Sequence, residues 1–138
     1  MKANRITLVT LAVADIARSR AYYEALGWQP EEAMDQVVFY DLGGAKFGLY
    51  QRELLAQDQG RGGVDLGVGA VSLAQNFSSE EAVDTAYEAA LLAGASVVAR
   101  PKKVEWGGYS GLIADPDGHV WELAYNPFWP LDAEGMLT

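Results

Sequence analysis

The sequence predicts an α+β fold built from two copies of one βαβββ module. Three observations carry this. The order strand, helix, three strands occurs twice. Short motifs recur at matching places in the two copies. Glycines and other turn residues interrupt both copies at the same joints.

In the first copy, residues 5–13 (RITLVTLAV) read as a strand. Asp15 is placed to cap a helix over Ile16–Leu26, which Gly27 closes. Helical spacing puts Ala17, Ala21, Tyr22 and Leu26 on one apolar stripe. Strands follow at about 28–33, 36–42 and 45–51, with Asp41 to Gly44 as the last hairpin turn. Gln51 to Gly67 reads as a linker, which Gly60, Gly62 and Gly63 make flexible.

The second copy opens with a strand over 68–75. Ser78 and Glu81 have capping-box spacing and predict a helix through Leu92 that ends near Gly94. Strands near 95–99, 109–114 and 119–125 complete it. Val9-Thr10-Leu11-Ala12 matches Val71-Ser72-Leu73-Ala74, and Phe47-Gly48-Leu49-Tyr50 matches Trp121-Glu122-Leu123-Ala124. Neither module is large enough to bury its own apolar face, so the two are expected to join in a single domain over 1–138. Its parts are module one (about 5–51), the linker (52–67), module two (68–127) and a tail (128–138).

Composition narrows the function classes. A chain of 138 residues suits one domain. Half of its residues are hydrophobic, with four Trp and seven Tyr, which is a core-forming composition. There is no cysteine, so thiolate nucleophiles, disulfides and cysteine-ligated zinc are excluded. Nineteen acids against ten bases give a net charge of −9, which disfavours nucleic acid as a partner. Arg100-Pro101-Lys102-Lys103 is a short basic cluster that reads as solvated surface. No apolar run approaches the ~20 residues of a membrane span, and the N-terminus shows no signal-peptide grammar. A cytoplasmic location is the default expectation.

The stretch Trp106 to Pro127 holds the functional question. Asp115-Pro116-Asp117-Gly118 is turn chemistry between two strands. The strand after it carries one acid, Glu122, which alternation places with Val120 and Ala124, opposite Trp121, Leu123 and Tyr125. A mid-strand carboxylate among apolar residues is costly to bury without a partner.

The motifs LAVADIARSRAYYEALG in the first module and DPDGHVWEL in the second resemble the vicinal oxygen chelate superfamily. That group includes glyoxalase I, bleomycin-resistance proteins and extradiol dioxygenases. The resemblance spans about 5–127 and implies curved mixed sheets forming a cup, and homodimers. In the metalloenzymes of this group a His on the first strand and a Glu on the last strand of each module hold a metal. Carried over by motif, those positions here are Leu8, Gly48, Ala70 and Glu122. Leu, Gly and Ala side chains offer no donor, so no metal ligands and no cofactor are expected, and a divalent metal is disfavoured rather than excluded. The one histidine, His119, is three residues from Glu122 on the same strand and faces the other way, as a turn-flanking polar residue.

Alternation from the four positions predicts the cup lining. Thr10 joins Leu8, Ser72 joins Ala70, Lys46 and Tyr50 join Gly48, and Val120, Ala124 and Asn126 join Glu122. Small residues beside scattered polar ones suit a ligand cavity, unless other side chains fill it. Glu122 has three readings: an ion pair with Lys46, a contact to a ligand cation or donor, or a catalytic general base. In Trp106-Gly107-Gly108-Tyr109, Trp106 and Tyr109 either wall the cup mouth and stack on a ligand, or Trp106 is buried and pins the loop. Phe128, Trp129 and Leu131 in the tail suit an interface. Two functions are expected: a metal-free module binding a small organic molecule, or a lyase, isomerase or dioxygenase type of enzyme using Glu122 as base or as a metal ligand.

Overall fold

The computed structural model describes every residue, Met1–Thr138. The chain resolves into two compact units, Met1–Gly67 and Val68–Thr138.

Unit one contains β1 (Leu8–Val13), α1 (Ile16–Ala25), β2 (Pro30–Ala33), β3 (Val37–Asp41), β4 (Lys46–Gln51) and α2 (Arg52–Asp58). Its sheet has the order β1-β4-β3-β2, with β1 parallel to β4 and the other pairs antiparallel. The mixed βαβββ architecture expected from the sequence is present. Asp15 caps α1 by accepting a bond from the Arg18 amide at 3.2 Å. Gly27, just beyond the helix, has φ +98°, which an L side chain rarely adopts.

The buried face of α1 differs from the expected stripe. Ile16, Ser19, Tyr22 and Tyr23 are buried, at i, i+3, i+6 and i+7, whereas Ala17 and Ala21 are exposed. Aromatic rings remove far more apolar area from water than alanines do, so Tyr22 and Tyr23 decide which face turns inward. Tyr23, Trp28, Tyr40 and Phe47 then interlock beneath the sheet. Tyr23–Phe47 and Trp28–Tyr40 meet edge-on at 5.3 and 5.7 Å. The Tyr40 hydroxyl donates to Glu24 at 3.2 Å, and Arg20 holds the same carboxylate at 2.7 Å. The Arg20 bond keeps the Glu24 carboxyl below its usual pKa, while burial pushes the Tyr40 phenol up.

The expected linker is partly helical. Residues 52–58 form α2, capped by the Gln51 side chain, which accepts from the Leu54 amide at 3.2 Å. Gln is outside the usual capping set of Ser, Thr, Asp and Asn, so the sequence carries no start signal there. Buried Ala56 faces inward as α2 packs on β1 and β4.

Unit two contains β5 (Ser72–Phe77), α3 (Glu80–Ala93), β6 (Ser96–Lys103), β7 (Tyr109–Ala114) and β8 (Val120–Tyr125). Its sheet order is β5-β8-β7-β6, with β5 parallel to β8. β5 begins four residues later than expected, because parallel pairing runs from Ser72↔Val120 to Phe77↔Tyr125. Val68 instead packs on the 115–118 turn, 3.3 Å from where a Cβ on Gly118 would stand. The cap of α3 is Ser79, not Ser78: its hydroxyl accepts from the Ala82 amide at 3.1 Å. Val83, Tyr87 and Ala90 are the buried stripe, and the Tyr87 hydroxyl donates to the Leu112 carbonyl at 2.9 Å.

The 115–118 turn forms as its chemistry predicts. Asp115 is 3% exposed, and its carboxylate accepts from the Asp117 and His119 amides at 3.0 and 2.9 Å. Gly118 closes the turn at φ +93°. No helix is long and apolar enough to cross a membrane.

Candidate functional site

Strand register decides which side chains share a face, because residues paired across a ladder point the same way. In unit one, Val9, Leu11 and Val13 share the helix face with Phe47, Leu49, Tyr40 and Val38. Leu11, Val13 and the β3 and β4 residues among these are buried. The opposite face carries three rows: Leu8–Lys46–Asp41, Thr10–Gly48–Phe39 and Ala12–Tyr50–Val37. Leu8, Thr10, Lys46, Gly48 and Tyr50 therefore lie together, as expected.

Phe39 was not anticipated. A Cβ on Gly48 would stand 3.2 Å from the Phe39 ring and 3.4 Å from Thr10 Oγ1. The ring covers the place from which a side chain at 48 would project. The signal lay in pairing: Phe39 is opposite Gly48 in the β3–β4 hairpin. Lys46 pairs with Glu31 in its own unit. Glu31 is the extra residue of a bulge in β2, where the pairing skips from Pro30 to Glu32.

In unit two the face opposite α3 is centred on Glu122. Its row is Ala74–Glu122–Leu112. The rows on either side are Ser72–Val120–Ala114 and Asn76–Ala124–Ser110. Lys102 pairs with Ser110 and so stands on the same face, at the exposed edge strand β6. Glu122 is half-buried, and no hydrogen bond or ion pair engages its carboxylate. Ala70 precedes β5 and has no partner in its ladder. Counting two residues back from the last-strand position, Leu8 pairs with Lys46 and Ser72 pairs with Val120. Ser72 is therefore the counterpart of Leu8. The apparent match of residues 9–12 with 71–74 is out of step by two, a shift that preserves the side-chain face and so left the alternation intact.

Tyr109 is also displaced from its expected role. It pairs with Tyr125, on the helix side of the sheet, and donates a 2.6 Å bond to Asp84 of α3. That bond pushes the phenol up to about 12. A phenol with a raised pKa in the folded protein contributes stability that is present below its ordinary value of 10.0 and is lost as the pH rises through about 12. Replacing Asp84 with Asn should return the Tyr109 titration towards 10.0, read from ring carbon shifts in an NMR titration. An unchanged midpoint would show that Asp84 does not hold this hydroxyl.

Trp106 is not buried, so the second of its two sequence expectations does not hold. Its ring lies over Gly108, with Cη2 2.2 Å from where a Cβ would be, yet the side chain is 55% exposed. The loop is pinned by stacking on glycine rather than by burial. No three His, Cys, Asp or Glu side chains converge anywhere in the chain.

One acid among mostly small side chains, on the face of a βαβββ sheet opposite its helix, defines a class, and comparison supplies its name. Residues 5–123 match the Glyoxalase/Bleomycin resistance protein/Dioxygenase superfamily, and the chain belongs to it. Its structure is similar to a glyoxalase-related enzyme from Fulvimarina pelagi, at 32% identity and TM-score 0.89, covering 98% of this chain and 97% of that one. It also resembles a glyoxalase/bleomycin resistance protein/dioxygenase family enzyme from Burkholderia phytofirmans PsJN (23% identity, TM-score 0.76, 86% and 96% covered). A lactoylglutathione lyase from Agrobacterium tumefaciens shares the fold at 20% identity and TM-score 0.70, with 95% of this chain and 100% of that one covered. No curated protein matched the sequence.

Proposed function

We propose that the protein binds a small organic molecule against the Glu122 face without a metal. The observation that carries this is the lone acid: Glu122 has no partner and stands among Ser72, Ala74, Asn76, Ser110 and Ala124. Small and polar side chains beside a carboxylate suit a ligand-binding face. The donor set does not fit a divalent ion. The positions carried over from the family are Leu8, Gly48, Ser72 (by register) and Glu122, whereas catalytic zinc takes about three protein ligands. Phe39 also stands where an acid at position 48 would have to project. On the same reading the protein works in the cytoplasm as a homodimer, with exposed Phe128, Trp129 and Leu137 available to a partner.

A second reading, catalysis with Glu122 as base, takes its support from the 32% identity to a protein described as a glyoxalase-related enzyme. One set of measurements separates the readings. Protein purified without chelators is expected to carry no stoichiometric zinc, nickel, iron or manganese by elemental analysis. Stoichiometric metal at an internal site would overturn the proposal. A thermal-shift screen of planar cations, quinones and 2-oxoaldehydes then supplies ligands. Glu122→Gln should weaken binding of a cationic hit about tenfold or more with little change in melting temperature. Retained affinity with lost turnover would instead establish the base.

A further inference from the structure

Unit two carries its positive charge on one strand. Its only bases are Arg100, Lys102 and Lys103, all on β6, and residues 94–104 contain no acid. β6 is also the outer strand of its sheet. Its free edge is guarded against pairing with another strand. Pro101 lacks an amide hydrogen, and the register breaks between Val97 and Ala99 and again between Ala99 and Lys102. This edge therefore offers side chains rather than backbone. Val97 and Val98 are exposed on it, and Lys102 further along has no partner. Arg100 reaches Glu88 at 3.5 Å and Lys103 reaches Glu80 at 3.9 Å, so these two bases are turned to α3.

The tail after β8 has the opposite character. From Asn126 to Thr138 it carries Asp132 and Glu134 and no base. Its own hydrogen bonds order it. The Asp132 carboxylate accepts from the Glu134 and Met136 amides at 2.8 and 3.0 Å, and Leu131 bridges Leu137. Asp132 is thereby engaged, and the Glu134 carboxylate is left free. Phe128, Trp129, Met136 and Leu137 are each more than half exposed. Large apolar side chains gathered on a short segment mark an interaction surface, and Trp, Phe and Met are types that interfaces favour. The Phe128 ring lies 3.9 Å from where a Cβ on Gly107 would stand. The tail is thus placed beside the loop that joins β6 to β7.

We infer that the tail of one copy docks on the β6 edge of a second copy, which returns the same contact. This rests on the homodimer of the proposed function and specifies its surface. Glu134 meets Lys102, while Phe128 and Trp129 cover Val97 and Val98. Each copy carries both halves of the contact, so a two-fold axis closes the pair. Charge supports this seat within unit two. An acidic tail is repelled by a unit whose other charged side chains are all acidic, and β6 is the exception.

Sedimentation equilibrium measures the dimer, with melting temperatures recorded for every variant. The parent should dimerise, and its dissociation constant should rise about tenfold between low and high salt as the Glu134–Lys102 attraction is screened. Lys102→Glu and Glu134→Lys should each weaken the dimer about tenfold by setting like charges together. An equimolar mixture of those two variants should regain the parent affinity, because the mixed pair has one native and one reversed contact. Trp129→Ala should also weaken the dimer about tenfold, without rescue by mixing with either charge variant. A dimer that none of these substitutions alters, or charge variants that mixing does not restore, would overturn the inference while the homodimer stands. A parent that stays monomeric would remove both, and leave the tail to a different protein. Ligand binding at Glu122 is read separately in the thermal-shift screen, so its failure and the failure of this contact are distinguishable.

Discussion

Gly48→Glu should destabilise the protein by about 3 kcal/mol, because the new side chain enters occupied space and carries a charge with it. A Cβ at 48 already sits 3.2 Å from the Phe39 ring, closer than ordinary van der Waals contact, and Gly48 is buried. The carboxylate would have to push the ring aside or lose its hydration. Removing the obstruction should rescue it: Gly48→Glu in a Phe39→Ala background should recover part of the loss. Urea denaturation of the two single variants and the double variant measures the coupling directly. A Gly48→Glu protein as stable as the parent would show that Phe39 yields freely and does not close this position. The comparison matters because Gly48 and Glu122 occupy the same place in their respective sheets. One carries an acid among small side chains and the other is capped by an aromatic ring.

Phe47→Ala should cost roughly 3–5 kcal/mol, the range for truncating a buried aromatic whose neighbours cannot collapse into the gap. Phe47 is 2% exposed. It touches Tyr23 at 5.3 Å, Trp28 at 5.1 Å and Tyr40 at 6.1 Å between ring centroids. Removing it leaves three rings without their central contact. Phe47→Leu keeps much of the volume and should cost less than half as much. Chemical denaturation of both variants checks the order. A loss below about 1 kcal/mol for the alanine variant would mean that the cluster repacks around the gap.

The second of these residues was far easier to read from the sequence than the first. Phe47, Leu49, Trp121 and Leu123 alternate with smaller or polar neighbours, so their burial followed from period-two patterning. The hairpin of Asp115 to Gly118 followed equally well from Pro and Gly, whose backbone preferences are local. Phe39 could not be read as a plug, because its role depends on lying opposite a glycine in a partner strand. Local pattern also failed for α2, whose cap is a glutamine, and for α1, where ring size outweighed the alanine spacing. The sequence neighbourhood of Trp106 points Tyr109 to the ligand face, yet its hydroxyl reaches Asp84 on the opposite side of the sheet.

The sequence by itself determined the βαβββ repeat, the apolar face of each sheet and the single acid on the strand after the turn. These depend on the period of side-chain alternation and on turn residues, both of which act over a few neighbouring positions. The tertiary structure decided that Ser72 rather than Ala70 is the counterpart of Leu8, that Phe39 closes Gly48, and that Trp106 rests on Gly108. Each of those depends on strand register, which is fixed by hydrogen bonding and packing between segments far apart in the chain.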